Sequence, residues 1–289
     1  MGTRRGAAVA ASAVLIAFLV SALAACAPAA TDALPQGVSV SITQSRSDYS
    51  SRTIGMRVSN ASDADIPLVR AALHSPQFVA AAVWERGTVL RAGTTVDLRV
   101  PLPDAQCPPQ GETDAAVTLE YVVDGNTRTG RAPAPDPLER LVTINAEDCL
   151  ARDVAAVAAI TAAPEVQWTP GAREPAAIDL RVAPAGGTGS LRVMSVDDTV
   201  LLAVVDAAGE KVQSLPLDAT VRGSDAASVI TVRFVPNRCD PHAVLEDKRG
   251  TFLPLNVETE SGAAGVIFVG VTDAVRGAIY DYVGDYCRF

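Results

Sequence analysis

The chain has 289 residues, 24 Lys and Arg against 33 Asp and Glu, and a formal net charge of −9. An acidic balance of this size excludes a nucleic-acid partner, because phosphate backbones are bound chiefly through Lys and Arg. The length is enough for two ordinary domains, and no segment after the first 25 residues is apolar for as long as a membrane span requires.

In chain order, the first element is a leader. "MGTRR" is a short basic start, and "GAAVAASAVLIAFLVSALAA" after it carries no charge. It ends in Leu23-Ala24-Ala25-Cys26. A basic start, an apolar run and small residues at a cut site describe a secretory signal peptide over residues 1–25. The Leu-Ala-Ala-Cys ending resembles the lipobox of bacterial lipoproteins. That resemblance covers the leader alone and implies a diacylglyceryl thioether on Cys26, with cleavage before it. Two or more acyl chains hold a protein stably at a bilayer, since each buried methylene is worth about 0.8 kcal/mol. Read instead as an uncleaved span, the run would leave Arg4 and Arg5 in the cytoplasm and also send the rest outward. Without the leader, 22 basic residues face the 33 acidic ones, so the exported part is near −11. Residues 26–36, small and Pro-containing, read as a flexible tether.

Short runs rich in Val, Leu and Ile follow, separated by Gly, Pro, Asp, Asn and Ser. In the first half they are "GVSVSIT", "IGMRVSN", "TTVDLRV" and "AAVTLEYVV". In the second they are "AIDLRVAP", "GSLRVMSV", "TVLLAVV", "SVITVRFV" and "TFLPLNVE". "VVDGNT" carries an Asp-Gly hairpin signal. "GVIFVGV" at 265–271 reads as a buried strand. His74 falls between strands, as a loop or edge residue. "DPLERL" starts a helix with Asp136 before Pro137, and "RDVAAVAAIT" is either a linker helix or the first strand of a second domain. Near the end, Thr272 or Asp273 is placed to cap a helix that Gly284 would close.

"NRCDPHAVLEDKRG" at 237–250 is the stretch richest in chemical groups. Asp240 fits an N-cap, Pro241 the first helical position and Gly250 the residue past the end, with Lys248 and Arg249 in the last turn. A functional reading makes Asp240, His242 and Glu246 a metal or acid–base cluster, since His242 and Glu246 are four apart on one helical face. Metal sites need three or four ligands, and "CPPQGETD" after Cys107 holds no matching histidine, so the capped turn is the reading adopted.

Four cysteines remain past Cys26: Cys107, Cys149, Cys239 and Cys287. An even count in an exported chain points to disulfides, with three possible pairings. An internal repeat narrows them. "LRVPLPDAQCPP" and "ITVRFVPNRCDP" both run strand, proline, spacer, cysteine, proline, and "MRVSN" at 56–60 parallels "LRVMS" at 191–195. The halves close alike in "AEDCL" and "GDYCRF". The chain therefore reads as two diverged copies, 37–150 and 151–289, each an Ig-like antiparallel β-sandwich with a few short helices. One bridge falls in each copy, Cys107–Cys149 and Cys239–Cys287.

No GxSxG, HExxH, SxxK, P-loop or GxGxxG occurs, and no cofactor or metal is expected. Trp84, Trp168 and the tyrosines of "IYDYVGDYC" are candidates to line a binding surface, with Tyr280, Tyr282 and Tyr286 read instead as divided between core packing and a wet face. The expected function is a non-enzymatic binding or structural module, anchored through Cys26 to the outer face of a bacterial membrane. Its partner would be an envelope protein or a glycan. The alternatives are an envelope hydrolase or sugar-active enzyme with unidentified carboxylates, and a metal-binding or metal-delivery lipoprotein using Asp240 and His242.

Overall fold

The computed structural model describes residues 33–49, 51–109, 114–245, 247 and 251–289. Each of the nine strand-like runs is a strand. The first half holds β1 (Val38–Thr43), β2 (Thr53–Asn60), β3 (Ile66–His74), β4 (Ala82–Trp84), β5 (Thr88–Leu90), β6 (Thr95–Pro101), β7 (Ala116–Val123) and β8 (Asn126–Pro133). Helix α1 (Arg140–Ala155) follows. The second half holds β9 (Ala158–Gln167), β10 (Ala176–Pro184), β11 (Ser190–Asp197), β12 (Leu202–Val205), β13 (Lys211–Val212), β14 (Ser214–Arg222) and β15 (Ser228–Pro236). Helix α2 (Pro241–Leu245), β16 (Leu253–Thr259), β17 (Ala264–Val269) and helix α3 (Asp273–Cys287) complete it.

All pairings between named strands are antiparallel, and two halves share one plan. Strands β1-β2-β6 form one sheet and β4-β3-β7-β8 the facing one, with β5 also on β3. In the second half β9-β10-β15 are extended by β12 and β13, and face β14-β11-β16-β17. Both units are Ig-like sandwiches. The period-2 pattern decides which side chains meet between the sheets. Ile54, Met56 and Val58 of β2 are fully buried while Arg57 between them points out to Asp97. They meet Leu73, Val117 and Leu119 of the other sheet in one core. The second core joins Ile178, Leu180, Val232 and Phe234 to Leu191, Val193, Leu255 and Val257.

This plan corrects part of the repeat. "MRVSN" lies on β2, but "LRVMS" lies on β11, in the opposite sheet of its unit. The strand at the β2 position is β10, and there Ile54-Gly-Met-Arg-Val58 stands against Ile178-Asp-Leu-Arg-Val182. The cysteine-bearing match holds, since β6 and β15 occupy equivalent places.

Other expectations shift with tertiary context. "GVIFVGV" is an edge strand with only Val269 buried, because the sheet ends at β17. His74 is the last residue of β3, paired with Ala116. Asp136 does not open a helix: residues 136–139 turn first, Glu139 takes φ 50, and the Asp136 carboxylate accepts the Leu141 N–H at 2.8 Å. "RDVAAVAAIT" is both things, the last turn of α1 and then β9. Residues 33–36 of the expected tether belong to the fold: Leu34 packs on the first core, and a Cβ on Gly130 would meet the Ala33 carbonyl at 2.9 Å. Helix α3 is capped by Thr272, whose hydroxyl accepts the Val275 N–H, but it runs through Gly284. Arg288 takes the left-handed position (φ 62), with the Phe289 and Arg288 N–H groups donating to the Gly284 and Asp285 carbonyls. The hairpin β7–β8 turns at Asp124-Gly125, both at positive φ, as the Asp-Gly signal requires.

The two disulfides are Cys107–Cys149 and Cys239–Cys287, with Cα atoms 5.7 and 5.2 Å apart. Each ties the segment after β6 or β15 to the helix that follows the last hairpin. Helix α1 crosses position 150. Leu141 and Ile144 enter the first core, and Leu150 and Val154 enter the second. Its docking to the first sandwich is polar as well as apolar. The buried Asn145 amide donates to the Gln77 and Gln106 carbonyls at 2.6 and 3.0 Å. Arg52 donates to both Asp148 oxygens and to the Pro103 carbonyl. Arg140 stacks 4.7 Å over Tyr49 and donates to Gln44.

Cys107 and Cys149 are 42 residues apart, a loop whose closure is worth about 4 kcal/mol in the chain-entropy account. The Cys107→Ser/Cys149→Ser protein is expected to lose stability of that order in urea unfolding. A loss below about 1 kcal/mol would show that the polar docking of α1 suffices without the bridge.

Candidate functional site

Cys26 lies outside the described residues, as do Glu246, Lys248, Arg249 and Gly250. Of the cluster considered at 240–246, Asp240 acts as the cap. Its Oδ1 accepts the His242 backbone N–H at 2.9 Å and its Oδ2 accepts from Arg238 at 2.5 Å. Those bonds, the Arg238 one foremost, hold its carboxyl below the usual carboxylate range. His242 is exposed on the short helix α2. Among the described residues no three His, Cys, Asp or Glu side chains are grouped to hold a metal ion. His74 belongs to the other sandwich, lining a hollow of about 250 Å³ with Asp114 and Arg131. Burial lowers its pKa, and Arg131 and Arg70 lower it further.

The aromatic residues are packing groups. Trp84 is buried in the first core. Tyr282 sits at the centre of the second, with Trp168, Phe234 and Tyr286 rings each 5.7 Å away. Its hydroxyl accepts the Ala176 N–H and reaches the Glu174 and Phe234 carbonyls. Tyr280 donates to Asp247 at 2.8 Å.

The feature with the form of a binding site runs along the outside of α1. With Leu141 and Ile144 committed to one core and Leu150 and Val154 to the other, Val142 and Ala146 are left facing solvent. Val142 is 47% exposed. One hollow of about 510 Å³ lies at the start of the helix, between Ala115, Pro133–Pro135 and Val142. A second, about 530 Å³, is walled by Val142, Ala146 and Leu150 on one side and residues 263–266 at the start of β17 on the other. Val142 lines both, so the two hollows neighbour each other along α1, and together they are called the groove. Gly265 brings its walls close, since a Cβ there would stand 3.0 Å from the Leu150 side chain.

The ionisable groups lining the groove are all carboxylates: Asp114, Asp136 and Glu139 at one end, Glu147 and Asp153 at the other. Asp153 is paired with Arg152, and Asp136 holds the Leu141 N–H with one oxygen while the other is buried with no partner among the described residues. Glu139, Glu147 and Asp114 form no ion pair among the described residues. The sequence reading missed this groove. Val142 carries no signal of its own in the sequence, and residues 265–266 open a run read as a buried strand; only the assembly of α1 against β17 brings them to one hollow.

No protein-family model matches the chain, and no curated protein does. Solved structures are similar to it at low identity. A YadV chaperone is 13% identical over 81% of this chain and 98% of that one, with a TM-score of 0.24. The transglutaminase of red sea bream is 11% identical over 83% of this chain and 32% of that one, at 0.23. The calcium-binding domain CBD12 of CALX1.1 is 9% identical over 72% and 74%, at 0.19. Likenesses of this size carry no argument about activity, and the architecture is read from the sheets of this chain.

Burial pushes both Tyr280 and Tyr282 up to about 12, helped at Tyr280 by the Asp247 carboxylate. The folded state thus holds these protons more tightly than the unfolded chain, whose phenols ionise near pH 10. Stability is expected to be intact below pH 10 and to fall as pH rises from about 10 to about 12. Following phenolate absorbance on alkaline titration, Tyr280→Phe and Tyr282→Phe should each remove one late-ionising equivalent. Unchanged late absorbance in Tyr282→Phe would contradict its burial.

Proposed function

We propose that the chain is a lipid-anchored protein of the bacterial cell envelope, held by Cys26 on the outer face of the membrane and acting as a non-enzymatic binding module. Two disulfides belong to a protein folded in an oxidising, non-cytoplasmic compartment. The leader ending in Leu23-Ala24-Ala25-Cys26 supports the anchor. No helix among the described residues is long and apolar enough to cross a membrane.

The observation that carries the binding reading is the apolar, acid-rimmed groove between the two sandwiches. Concave surfaces lined by apolar side chains with a few polar groups at the rim are where proteins take up partners. An envelope protein or a glycan is the class of partner proposed. The absence of a known catalytic motif from the sequence supports a module without chemistry of its own. The Asp240 cap, with both oxygens engaged, gives the metal-delivery alternative no support.

In a bacterial host, intact mass spectrometry of the membrane-extracted protein is expected to show an acylated chain beginning at Cys26. It should gain four hydrogens on reduction of the two bridges. Cys26→Ser should remove both the acyl mass and the cut before residue 26, leaving the leader attached. An unacylated Cys26, or a Cys26→Ser protein cut at the same place as the parent, would overturn the anchor.

A further inference from the structure

We propose that the groove along α1 docks a short basic amphipathic helix of a partner protein. This rests on the binding-module reading above and adds the chemistry of the partner. Val142, Ala146 and Ala264 offer an apolar strip open to solvent. Glu139 stands at one end of it and Glu147 beside it, with no Lys or Arg among the lining residues to neutralise them. Carboxylates of one sign along a concave surface reinforce one another in attracting an approaching cation. An isolated apolar ligand would leave them unused, and an acidic one would be repelled.

A helix with an apolar face and flanking Lys or Arg satisfies both features. Its apolar residues cover Val142 and Ala146, and its long basic side chains lay their methylene stems along the strip while their heads reach the rim. The 16 residues of α1 run for about 24 Å at 1.5 Å per residue, which sets the length of helix that fits beside it. A second copy of this chain is a poor occupant. The exported part is near −11, so two such surfaces repel; an anionic lipid surface is disfavoured for the same reason.

The test uses the full chain carrying Cys26→Ser, so that no lipid competes for the probe. The probe is a fluorescent amphipathic helix of about 14 residues made of Leu and Lys, with a Leu/Glu peptide of the same pattern as control. Anisotropy should show saturable binding of the Leu/Lys peptide and none of the Leu/Glu peptide. Ala146→Arg puts a cation in the groove and should weaken binding about tenfold. Ala151→Arg makes the same charge change at an exposed position of α1 outside the groove and should change affinity less than about twofold. Thermal unfolding of each variant confirms that it is folded.

Equal weakening by the two arginines would reduce the binding to general attraction by an acidic protein and overturn the site. Leu/Glu binding as tight as Leu/Lys would overturn the charge assignment. A photocrosslinker at Val142 in living cells separates the two levels of the argument. An adduct with an acidic or uncharged segment overturns the basic helix and keeps the module. No adduct together with no peptide binding overturns both.

Discussion

Asn145 and Asp148 tie one side of α1 to the first sandwich, and Leu150 and Val154 carry the same helix into the second core. Much of the layout around α1 depends on that double docking. A buried amide that gave up water must find partners, and Asn145 finds the Gln77 carbonyl after β3 and the Gln106 carbonyl beside Cys107. Arg52 answers Asp148 while also holding the carbonyls of Leu102 and Pro103. The bridge from Cys107 to Cys149 therefore lies between contacts that already hold its two ends together. Three kinds of interaction converge on one turn of helix, and what they secure is the position of α1 between the sandwiches.

The second unit solves the same problem differently. Among the described residues its closing helix α3 makes no ion pair to its sandwich; it is held by Tyr282, a large ring fully enclosed among three others with its hydroxyl answered by backbone groups. The Cys239–Cys287 bridge joins the last turn of that helix to the cap of α2. In each copy a helix covers one end of the sandwich and a disulfide staples it, yet one staple sits in a polar network and the other beside an aromatic cluster.

The groove is a by-product of this sharing. A helix that served one sandwich would bury one stripe and present a polar face; α1 must serve two, and its apolar residues are distributed over more of its circumference than either core covers. Val142 and Ala146 fall in the gap. Of the carboxylates around them, Asp153 is answered by Arg152, while Glu139 and Glu147 form no ion pair among the described residues. An acidic rim in which Glu139 and Glu147 are unpaired among the described residues, set beside an apolar strip, is the electrostatic counterpart of a basic amphipathic ligand.

What the amino-acid sequence determined by itself was local: the alternation in Ile54–Val58 or Val232–Phe234, the Asp-Gly turn at 124–125 and the caps at Asp240 and Thr272. These follow from side-chain period and backbone preference within a few residues, and the cysteine order extended that reach to the two bridges. Tertiary structure decided whatever depended on a distant neighbour. It placed "LRVMS" in the sheet opposite its supposed counterpart, kept α3 helical through Gly284, laid Leu34 on the first core and put "GVIFVGV" at a sheet edge. It also brought residue 142 and residue 265 to the two walls of one groove. Periodicity along a chain says which face of an element is apolar; it does not say whether another element, more than a hundred residues away, arrives to cover it.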